Sequence, residues 1–382
     1  MRQHHLRTLR TIIVVVGVPC AIIVSIFLFS GPRSLASVPN LQYSSYHTLA
    51  PSPDWGVPVV GVTTTYGIYK EDFAYGTSPL VITDMRPEDR YANKENYEIR
   101  SLIVYRAHDG HALLEHQPVL FFVHGGGWVD HYKDWYEFVA HSFTGEKGWV
   151  TVVIDYRLTS DEVFLADQYC PDRNTCGLPG NEPYRTKAAW YPENIDDVAK
   201  AFQWVVDHIE ENGGDASKIV VFGHSAGGHL ASLLATHTDY EATLRPAIRG
   251  LVTMSGAYDL NSLNKPFYSS VVTQTFHGGF DSSALLDQAS PSNYVVPGVT
   301  LPPFYVLYAE DAMLSLTEQN VVFKNRLESL GFEVSISYLP GYSHVTEMGA
   351  ISDVNETPTA LIITWIESLL GRRVYLPLVM RP

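Results

Sequence analysis

The sequence predicts an α/β fold, in which a mainly parallel sheet is flanked by helices and preceded by a single N-terminal hydrophobic segment. Two observations support this prediction. Short apolar runs alternate with segments of helical periodicity from residue 97 to residue 370, which is the pattern of a parallel sheet covered on both faces. Loops rich in glycine, histidine and acidic residues follow the apolar runs, and ligands bind at that end of parallel strands.

The N-terminal segment, residues 1–36, is predicted to be a signal peptide or a membrane anchor. Three arginines precede an uncharged apolar run over residues 11–29. Such a run can span a bilayer as a helix, with the arginines on the cytoplasmic side. It also fits a secretory signal peptide, because Ser34 and Ala36 are small residues at the positions that a signal peptidase reads. Both alternatives stay open, and both predict an exported chain, either released or attached to a membrane through this segment.

The net charge and the cysteines indicate which partners and which cellular compartment to expect. The net charge of −15 comes without a basic stripe, so we expect no nucleic-acid partner. Cys170 and Cys176, with five residues between them, lie in a loop-like stretch of the exported part. An oxidising compartment would let them form a disulfide, and two free thiols are the alternative.

The chain is predicted to continue in three further regions. Residues 37–96 contain several prolines and serines and are predicted to be a linker and irregular lead-in. Residues 97–370 form the main α/β domain, with an insert at residues 159–190, and residues 371–382 form a C-terminal tail. Strands are predicted over residues 98–106, 118–123, 149–154, 218–222, 249–254, 304–308 and 333–339. Helices are predicted over residues 194–209, 226–236, 317–330 and 357–370.

A serine stands on a glycine-flanked turn between a predicted strand and a predicted helix. The run Gly223-His224-Ser225-Ala226-Gly227 fits the pattern G-x-S-x-G. A serine on such a sharp turn exposes its hydroxyl, and the helix that follows directs backbone N–H groups at the same place. We therefore predict Ser225 as a nucleophile. The alternative is a glycine- and serine-rich turn without chemistry.

A glycine loop follows an earlier predicted strand. It reads His124-Gly125-Gly126-Gly127-Trp128, and a run of glycines lets the backbone approach a substrate and direct N–H groups inward. An oxyanion needs such donors in fixed positions. We predict an oxyanion hole formed by the N–H groups of Gly126, Gly127 and Ala226.

The nucleophile needs a base, and the base needs an orienting acid. His344 lies directly after the last predicted strand, where the base is expected, because the chain order for this arrangement is Ser, acid, His. The acid should follow the strand over residues 304–308. Asp311 is the predicted acid, and Glu310 is the alternative.

Four motifs in this order, H-G-G-G-W, D-Y-R-L, G-H-S-A-G-G-H and P-G-Y-S-H, resemble the α/β-hydrolases of the esterase/lipase group. That group includes hormone-sensitive-lipase-like, feruloyl-esterase-like and kynurenine-formamidase-like enzymes. The resemblance covers residues 97–370 and implies the α/β-hydrolase fold, a Ser–His–Asp triad, a glycine-loop oxyanion hole, no cofactor and no metal. It also implies that Asp155, in the D-Y-R-L motif, supports the oxyanion loop.

One departure from the group concerns the acid. Relatives carry G-x-x-D after the corresponding strand, and counting from Ala309, which replaces the glycine, puts the acid's position at Ala312. Asp311 comes one residue early. The resemblance implies a serine hydrolase that cleaves small-molecule carboxylic esters through an acyl-enzyme intermediate. An arylformamidase or peptidase with the same triad, or a non-catalytic binding protein that retains the fold, is the alternative.

Overall fold

A computed structural model describes residues 57–59, 61, 63–75, 101–159, 191–263, 272, 283–313 and 315–371. The chain divides into two units, residues 1–44 and 45–382, and every described residue lies in the second. The predicted N-terminal segment, both exported cysteines, and all but one residue each of the predicted insert and tail lie outside the described residues.

A nine-stranded sheet in the order β1-β2-β3-β5-β4-β6-β7-β8-β9 organises the described part of the chain. Six neighbouring strands, from β5 to β9 in that order, run parallel, whereas β1, β2 and β3 pair antiparallel at one edge. The strands are β1 (Val57–Pro58), β2 (Gly67–Ala74), β3 (Ser101–His108), β4 (Gln117–Val123), β5 (Val150–Ile154), β6 (Gly214–His224), β7 (Ile248–Met254), β8 (Phe304–Asp311) and β9 (Val334–Ser343). The predicted mainly parallel sheet is confirmed.

Helices cover the sheet on both faces, and the predicted helices agree with the observed ones to within one residue at each end. The helices are α1 (Glu137–Ala140), α2 (Glu193–His208), α3 (Ala226–Thr236), α4 (Leu260–Leu263), α5 (Ser283–Gln288), α6 (Leu316–Ser329), α7 (Thr346–Gly349) and α8 (Thr357–Gly371). Short 3-10 turns span Lys133–Tyr136, Ile209–Asn212, Thr238–Tyr240, Arg245–Ala247, Pro291–Tyr294 and Ala350–Ser352, and a π-helical turn spans His141–Glu146.

The central strand β4 shows why the parallel strands read as continuous apolar runs. Phe121 and Val123 point to one face of the sheet and Leu120 and Phe122 to the other, and all four are fully buried. On the first face the Phe121 ring meets Phe202 of α2 edge-on, with ring centroids 5.2 Å apart. Two helical layers therefore enclose the strands that carry the candidate site.

The predicted irregular lead-in, residues 37–96, needs a correction because it contains β1 and β2. Strand β2 pairs along its whole length with β3. Three consecutive charged residues obscure the alternation of this strand, and each of them has an ionic partner in the fold. Lys70 pairs with Glu137, Glu71 with Arg106 at 3.1 Å, and Asp72 with Lys133 at 3.2 Å.

The predictions of a transmembrane helix and of a disulfide are also corrected. A helix needs about 20 apolar residues to span a bilayer. The longest helix of the described ranges has 16 residues, and none of the helices found there is long and apolar enough to cross a membrane. No disulfide occurs among the described residues, since none of them is a cysteine. The apolar run 11–29, Cys170 and Cys176 lie outside them, and export of the chain stays a prediction.

Candidate active site

The turn between β6 and α3 consists of a single residue. Strand β6 ends at His224 and α3 begins at Ala226, so Ser225 makes the turn alone, with φ 56° and ψ −122°. Residues other than glycine rarely adopt a positive φ, and this strained turn exposes a nucleophilic hydroxyl. A Cβ added at Gly223 would lie 2.3 Å from the Gly227 carbonyl oxygen, so the flanking glycines are required by packing.

The predicted base lies beside this serine. His344 directly follows β9, and its Nε2 lies 2.9 Å from the Ser225 Oγ. The backbone N–H of His344 donates to the Asp311 carbonyl oxygen at 2.7 Å, which ties this loop to the end of β8. Burial, reinforced by the neighbouring His224, lowers the pKa of His344 to about 3. The ring is therefore neutral at pH 7 and able to accept a proton.

The predicted acid is not in place. Strand β8 extends as far as Asp311, and the side chains of Glu310 and Asp311 are both exposed at its end. Glu310 accepts the N–H of Gly341 at 2.8 Å, and Asp311 reaches His344 only through its backbone. Both carboxylates are therefore exposed at the end of the strand, and Ala312, at the position where relatives have the acid, is buried.

A carboxylate that the sequence reasoning missed lies on the other side of the base. Glu347 in α7 is fully buried, and its Oε1 is 3.5 Å from Nδ1 of His344. The same oxygen is 3.3 Å from Nε2 of His224. The i,i+3 spacing of His344 and Glu347 was the available signal, because two residues so spaced share one side of a helical turn.

Two imidazoles and one carboxylate therefore form a compact cluster under the serine. The rings of His224 and His344 have centroids 4.6 Å apart, and Nε2 of His224 donates to the His344 carbonyl oxygen at 3.1 Å. Burial raises the pKa of Glu347 to about 7 and lowers that of His224 to about 3. One atom from each residue lies within 4.8 Å of the others, a spacing that could also hold a metal ion. The contact with the Ser225 hydroxyl favours proton transfer as the role of the cluster.

The glycine loop rests on a stack of three rings. His124 lies between Tyr156, at 4.5 Å between centroids, and Tyr136, at 5.7 Å, with both pairs of rings nearly parallel. The Tyr156 hydroxyl donates to the carbonyl oxygens of His124 and Gly125 at 3.1 and 3.3 Å. Burial lowers the pKa of His124 to about 3, so a neutral ring supports the loop.

The glycines of this loop adopt conformations that other residues avoid. Gly126 and Gly127 have φ values of 102° and 62°. A Cβ added at Gly126 would lie 2.1 Å from the Asp130 carbonyl oxygen, and one at Gly125 would lie 3.1 Å from the Cβ of Ser225. The loop therefore packs against the turn that carries the serine. The assignment of Gly126, Gly127 and Ala226 as oxyanion donors stays a prediction.

The D-Y-R-L motif braces the chain that follows the glycine loop. Asp155, fully buried at the end of β5, accepts the backbone N–H of Lys133 at 2.6 Å and lies 3.4 Å from its Nζ. Arg157 donates to both carboxylate oxygens of Asp197 in α2, at 2.6 and 2.9 Å. Asp155 thus holds the segment that leaves the loop, in agreement with the role that the resemblance implies.

The last residue of the H-G-G-G-W motif connects the loop to the helix behind the serine. The indole N–H of Trp128 donates to Nδ1 of His229 in α3 at 3.1 Å. Nε2 of His229 in turn donates to the Ala289 carbonyl oxygen at 2.7 Å. These bonds fix the ring's tautomer and link the glycine loop, the helix α3 and the segment after α5.

Comparisons with known proteins agree with this geometry. Residues 188–348 match a family model described as alpha/beta hydrolase fold. The chain is 28% identical over 247 residues to Esterase LipQ of Mycobacterium tuberculosis, covering 61% of this chain and 51% of that protein. It is 30% identical over 247 residues to the probable carboxylic ester hydrolase LipM of the same organism, covering 60% and 50%. The chain spans about half the length of these curated relatives.

Solved structures show the same fold. Esterase B of Lactobacillus rhamnosis aligns with a TM-score of 0.56 at 16% identity, covering 80% of this chain and 86% of that one. The carboxylesterase EstE1 from a metagenomic library aligns with a TM-score of 0.53 at 18% identity, covering 71% and 84%. The fold and the serine turn define a protein of the α/β-hydrolase fold. Within that fold, the chain is similar to the hormone-sensitive-lipase-like group of esterases and lipases, as its motifs predicted.

Proposed function

We propose that this chain is a serine hydrolase that cleaves carboxylic esters of small molecules through an acyl-enzyme intermediate. The 2.9 Å contact between His344 Nε2 and Ser225 Oγ carries the proposal, because it joins a nucleophile on a strained turn to a neutral base. The printed names of the similar proteins, esterase and carboxylic ester hydrolase, support the same reaction.

The reaction runs in two halves on the same residues. Oγ of Ser225 attacks the acyl carbon while Nε2 of His344 takes its proton, and the negative charge develops on the former carbonyl oxygen. The N–H groups of Gly126, Gly127 and Ala226 are the proposed donors to that oxygen. His344 then protonates the departing alcohol. Water, deprotonated by the same nitrogen, attacks the acyl carbon of the acyl-enzyme. The bond from that carbon to Oγ of Ser225 then breaks, His344 returns the proton to Oγ, and the acid is released.

The alternative functions have less support. An arylformamidase or a peptidase would use the same serine and base, but the similar proteins reported above are named for ester hydrolysis. A non-catalytic binding protein would have no need for a neutral base in contact with a serine on a strained turn.

Hydrolysis of short p-nitrophenyl esters by the purified protein tests the proposal. We expect turnover by the parent protein, a loss on the order of 10⁴-fold or more in kcat for Ser225→Ala, and labelling of the parent but not the variant by a fluorophosphonate probe. Ser217→Ala, on the same strand β6 but at an exposed position, is the matched control. An active and labelled Ser225→Ala protein would overturn the assignment.

A further inference from the structure

The base of this site lacks an acid where the resemblance predicts one. The carboxylates of Glu310 and Asp311 are exposed at the end of β8, and Ala312 has no acidic group. A histidine base without an orienting carboxylate loses control of its tautomer and stabilisation of its protonated form. The buried cluster under Ser225 contains a carboxylate that has no role in the function proposed so far.

We propose that Glu347 is the positioning residue of this site and holds His344 in place of an acid at the end of β8. The inference rests on the proposed serine hydrolase function. Its geometric basis is the 3.5 Å between Glu347 Oε1 and His344 Nδ1, opposite the 2.9 Å between Nε2 and Ser225 Oγ. The acid therefore follows the base in the chain.

A hydrogen-bonded turn connects the base to the helix that carries this carboxylate. The backbone N–H of Ser343 donates to Oγ1 of Thr346 at 2.8 Å, and the N–H of Thr346 donates to Oγ of Ser343 at 3.2 Å. These reciprocal bonds close the turn that leads into α7, which begins at Thr346, two residues after His344. Because α7 begins at this point, the side chain three positions after the base is directed to the same side.

The carboxylate selects the tautomer that catalysis requires. A negative oxygen beside Nδ1 places the ring proton on that nitrogen and leaves the lone pair of Nε2 facing the serine hydroxyl. When Nε2 takes the proton of Ser225, the imidazolium forms 3.5 Å from a buried negative charge, where the attraction between the two charges is stronger than in water.

Burial raises the pKa of the Glu347 carboxyl, and several groups around it act against that effect. Nε2 of His224, at the end of β6, lies 3.3 Å from the same Oε1 and carries the proton that it donates to the His344 carbonyl oxygen. His344, the Ser255 hydroxyl and the Ala309 N–H all act to lower the pKa of Glu347. Tyr258 faces the cluster as well, and its pKa is raised by burial and, to a smaller extent, by Glu347. Burial acts in the opposite direction and brings the pKa of the carboxyl to about 7.

The test compares carboxylate variants of the full chain under the ester assay. Glu347→Gln should lower kcat roughly 10²- to 10⁴-fold with KM within about threefold of the parent, because the variant keeps the shape of the site but loses the charge. Glu347→Asp should recover part of the loss. Asp311→Asn tests the alternative that Asp311 is the acid. Glu328→Gln, at an exposed glutamate paired with Lys324, is the matched control for replacing a glutamate by glutamine.

The pH profile distinguishes positioning from a structural role. In the parent, kcat/KM should fall as the pH drops through about 7, the value to which the pKa of Glu347 is raised. In Glu347→Gln this fall should vanish between pH 5 and 7, since the neutral amide does not titrate and no longer raises the pKa of His344. A merely structural glutamate would leave the position of the fall unchanged.

The outcomes separate this inference from the proposed function. Glu347→Gln with parent kcat, or a greater loss in Asp311→Asn than in Glu347→Gln, overturns the role of Glu347 while Ser225→Ala still tests hydrolysis. If Glu347→Gln does not fold, Glu347→Asp carries the test, because shortening the side chain by one carbon withdraws the carboxylate from Nδ1. Parent-like kcat and pH profile in that variant would then overturn the inference.

Discussion

The Oγ of Ser225 and the Nε2 of His344 lie 2.9 Å apart although the two residues are 119 positions apart in the chain. The contact forms because β6 and β9 run parallel in one sheet, so that the residues following both strands reach the same edge. The N–H of His344 donates to the Asp311 carbonyl oxygen on β8. This hydrogen bond restrains the backbone of the base beside the serine.

The first prediction concerns the effect of pH on the parent enzyme. The proposed mechanism requires a neutral His344 and an ionised Glu347. Burial raises the pKa of Glu347 to about 7, so lowering the pH through this value protonates the carboxyl and weakens its hold on the base. Measurement of kcat/KM between pH 5 and 9 should show a plateau above about 8 and a fall below 7. Constant activity down to pH 5 would contradict this expectation.

The second prediction concerns stability. The pKa of Glu347 is raised from 4.5 to about 7 in the folded chain, so the folded state binds the proton more tightly than the unfolded state. Its contribution to stability is complete below pH 4.5 and is lost as the pH rises through about 7. The glutamine of Glu347→Gln does not ionise, so this variant should not lose stability as the pH rises. It should be more stable than the parent at pH 8, by up to about 3 kcal/mol.

Urea unfolding of parent and Glu347→Gln at pH 4.5 and pH 8 would measure this difference. The two proteins should be similar at the lower pH and diverge at the higher one, while Glu328→Gln should follow the parent at both. A variant that is less stable than the parent at pH 8 would show that the carboxylate stabilises the fold rather than costing it stability.

Turns and the ends of strands have local signatures, and the structure brings two residues that were predicted from them into contact. Ser225 was found from its flanking glycines, and His344 from its position after the last strand. The side chain of the predicted acid Asp311 does not contact the base in the described residues, because motif spacing fixes a residue's position along a strand but not where that strand stops. Strand β8 continues to Asp311 and exposes it, and only the folded chain shows that α7 brings Glu347 to the base.

Strand β2 escaped prediction for a different reason. Period-two alternation identifies a strand only when one face is apolar. The charged side chains of β2 form ion pairs with residues from distant parts of the chain. Asp72 pairs with Lys133, and Glu71 pairs with Arg106. Such pairing is a tertiary property, which a single stretch of sequence does not reveal.

The third prediction concerns the ion pair below the glycine loop. Lys133 and Asp155 are both buried, with Nζ 3.4 Å from Oδ2. Lys133→Met keeps the side chain's bulk but leaves the Asp155 carboxylate without this cation, which should destabilise the protein by about 3–5 kcal/mol. The segment that leaves the loop should also become more mobile and kcat should fall. Lys324→Met, at a half-buried lysine whose partner Glu328 is exposed, should change neither quantity much. Thermal unfolding and the ester assay measure both effects, and a parent-like Lys133→Met would refute the bracing role.

The fourth prediction concerns the close approach of α3 to β4. A Cβ at Gly227 would lie 2.1 Å from the Val123 carbonyl oxygen and 2.4 Å from that of His124. Both atoms are backbone, so Gly227→Ala can be accommodated only by moving the helix away from the strand, and the serine turn moves with it. We expect a loss of stability of about 3 kcal/mol or more, together with a large loss of kcat.

Gly349→Ala is the matched control for this substitution. A Cβ at Gly349 would meet nothing within 4 Å, and the residue has a helical φ of −59°. Alanine there should leave activity intact and raise stability by up to about 1 kcal/mol, since it restricts the unfolded chain more than glycine does. Equal unfolding midpoints for the two alanine variants would mean that the approach of α3 to β4 is not tight. The serine would then owe its position to the glycine loop and to His344 rather than to the packing of its own helix.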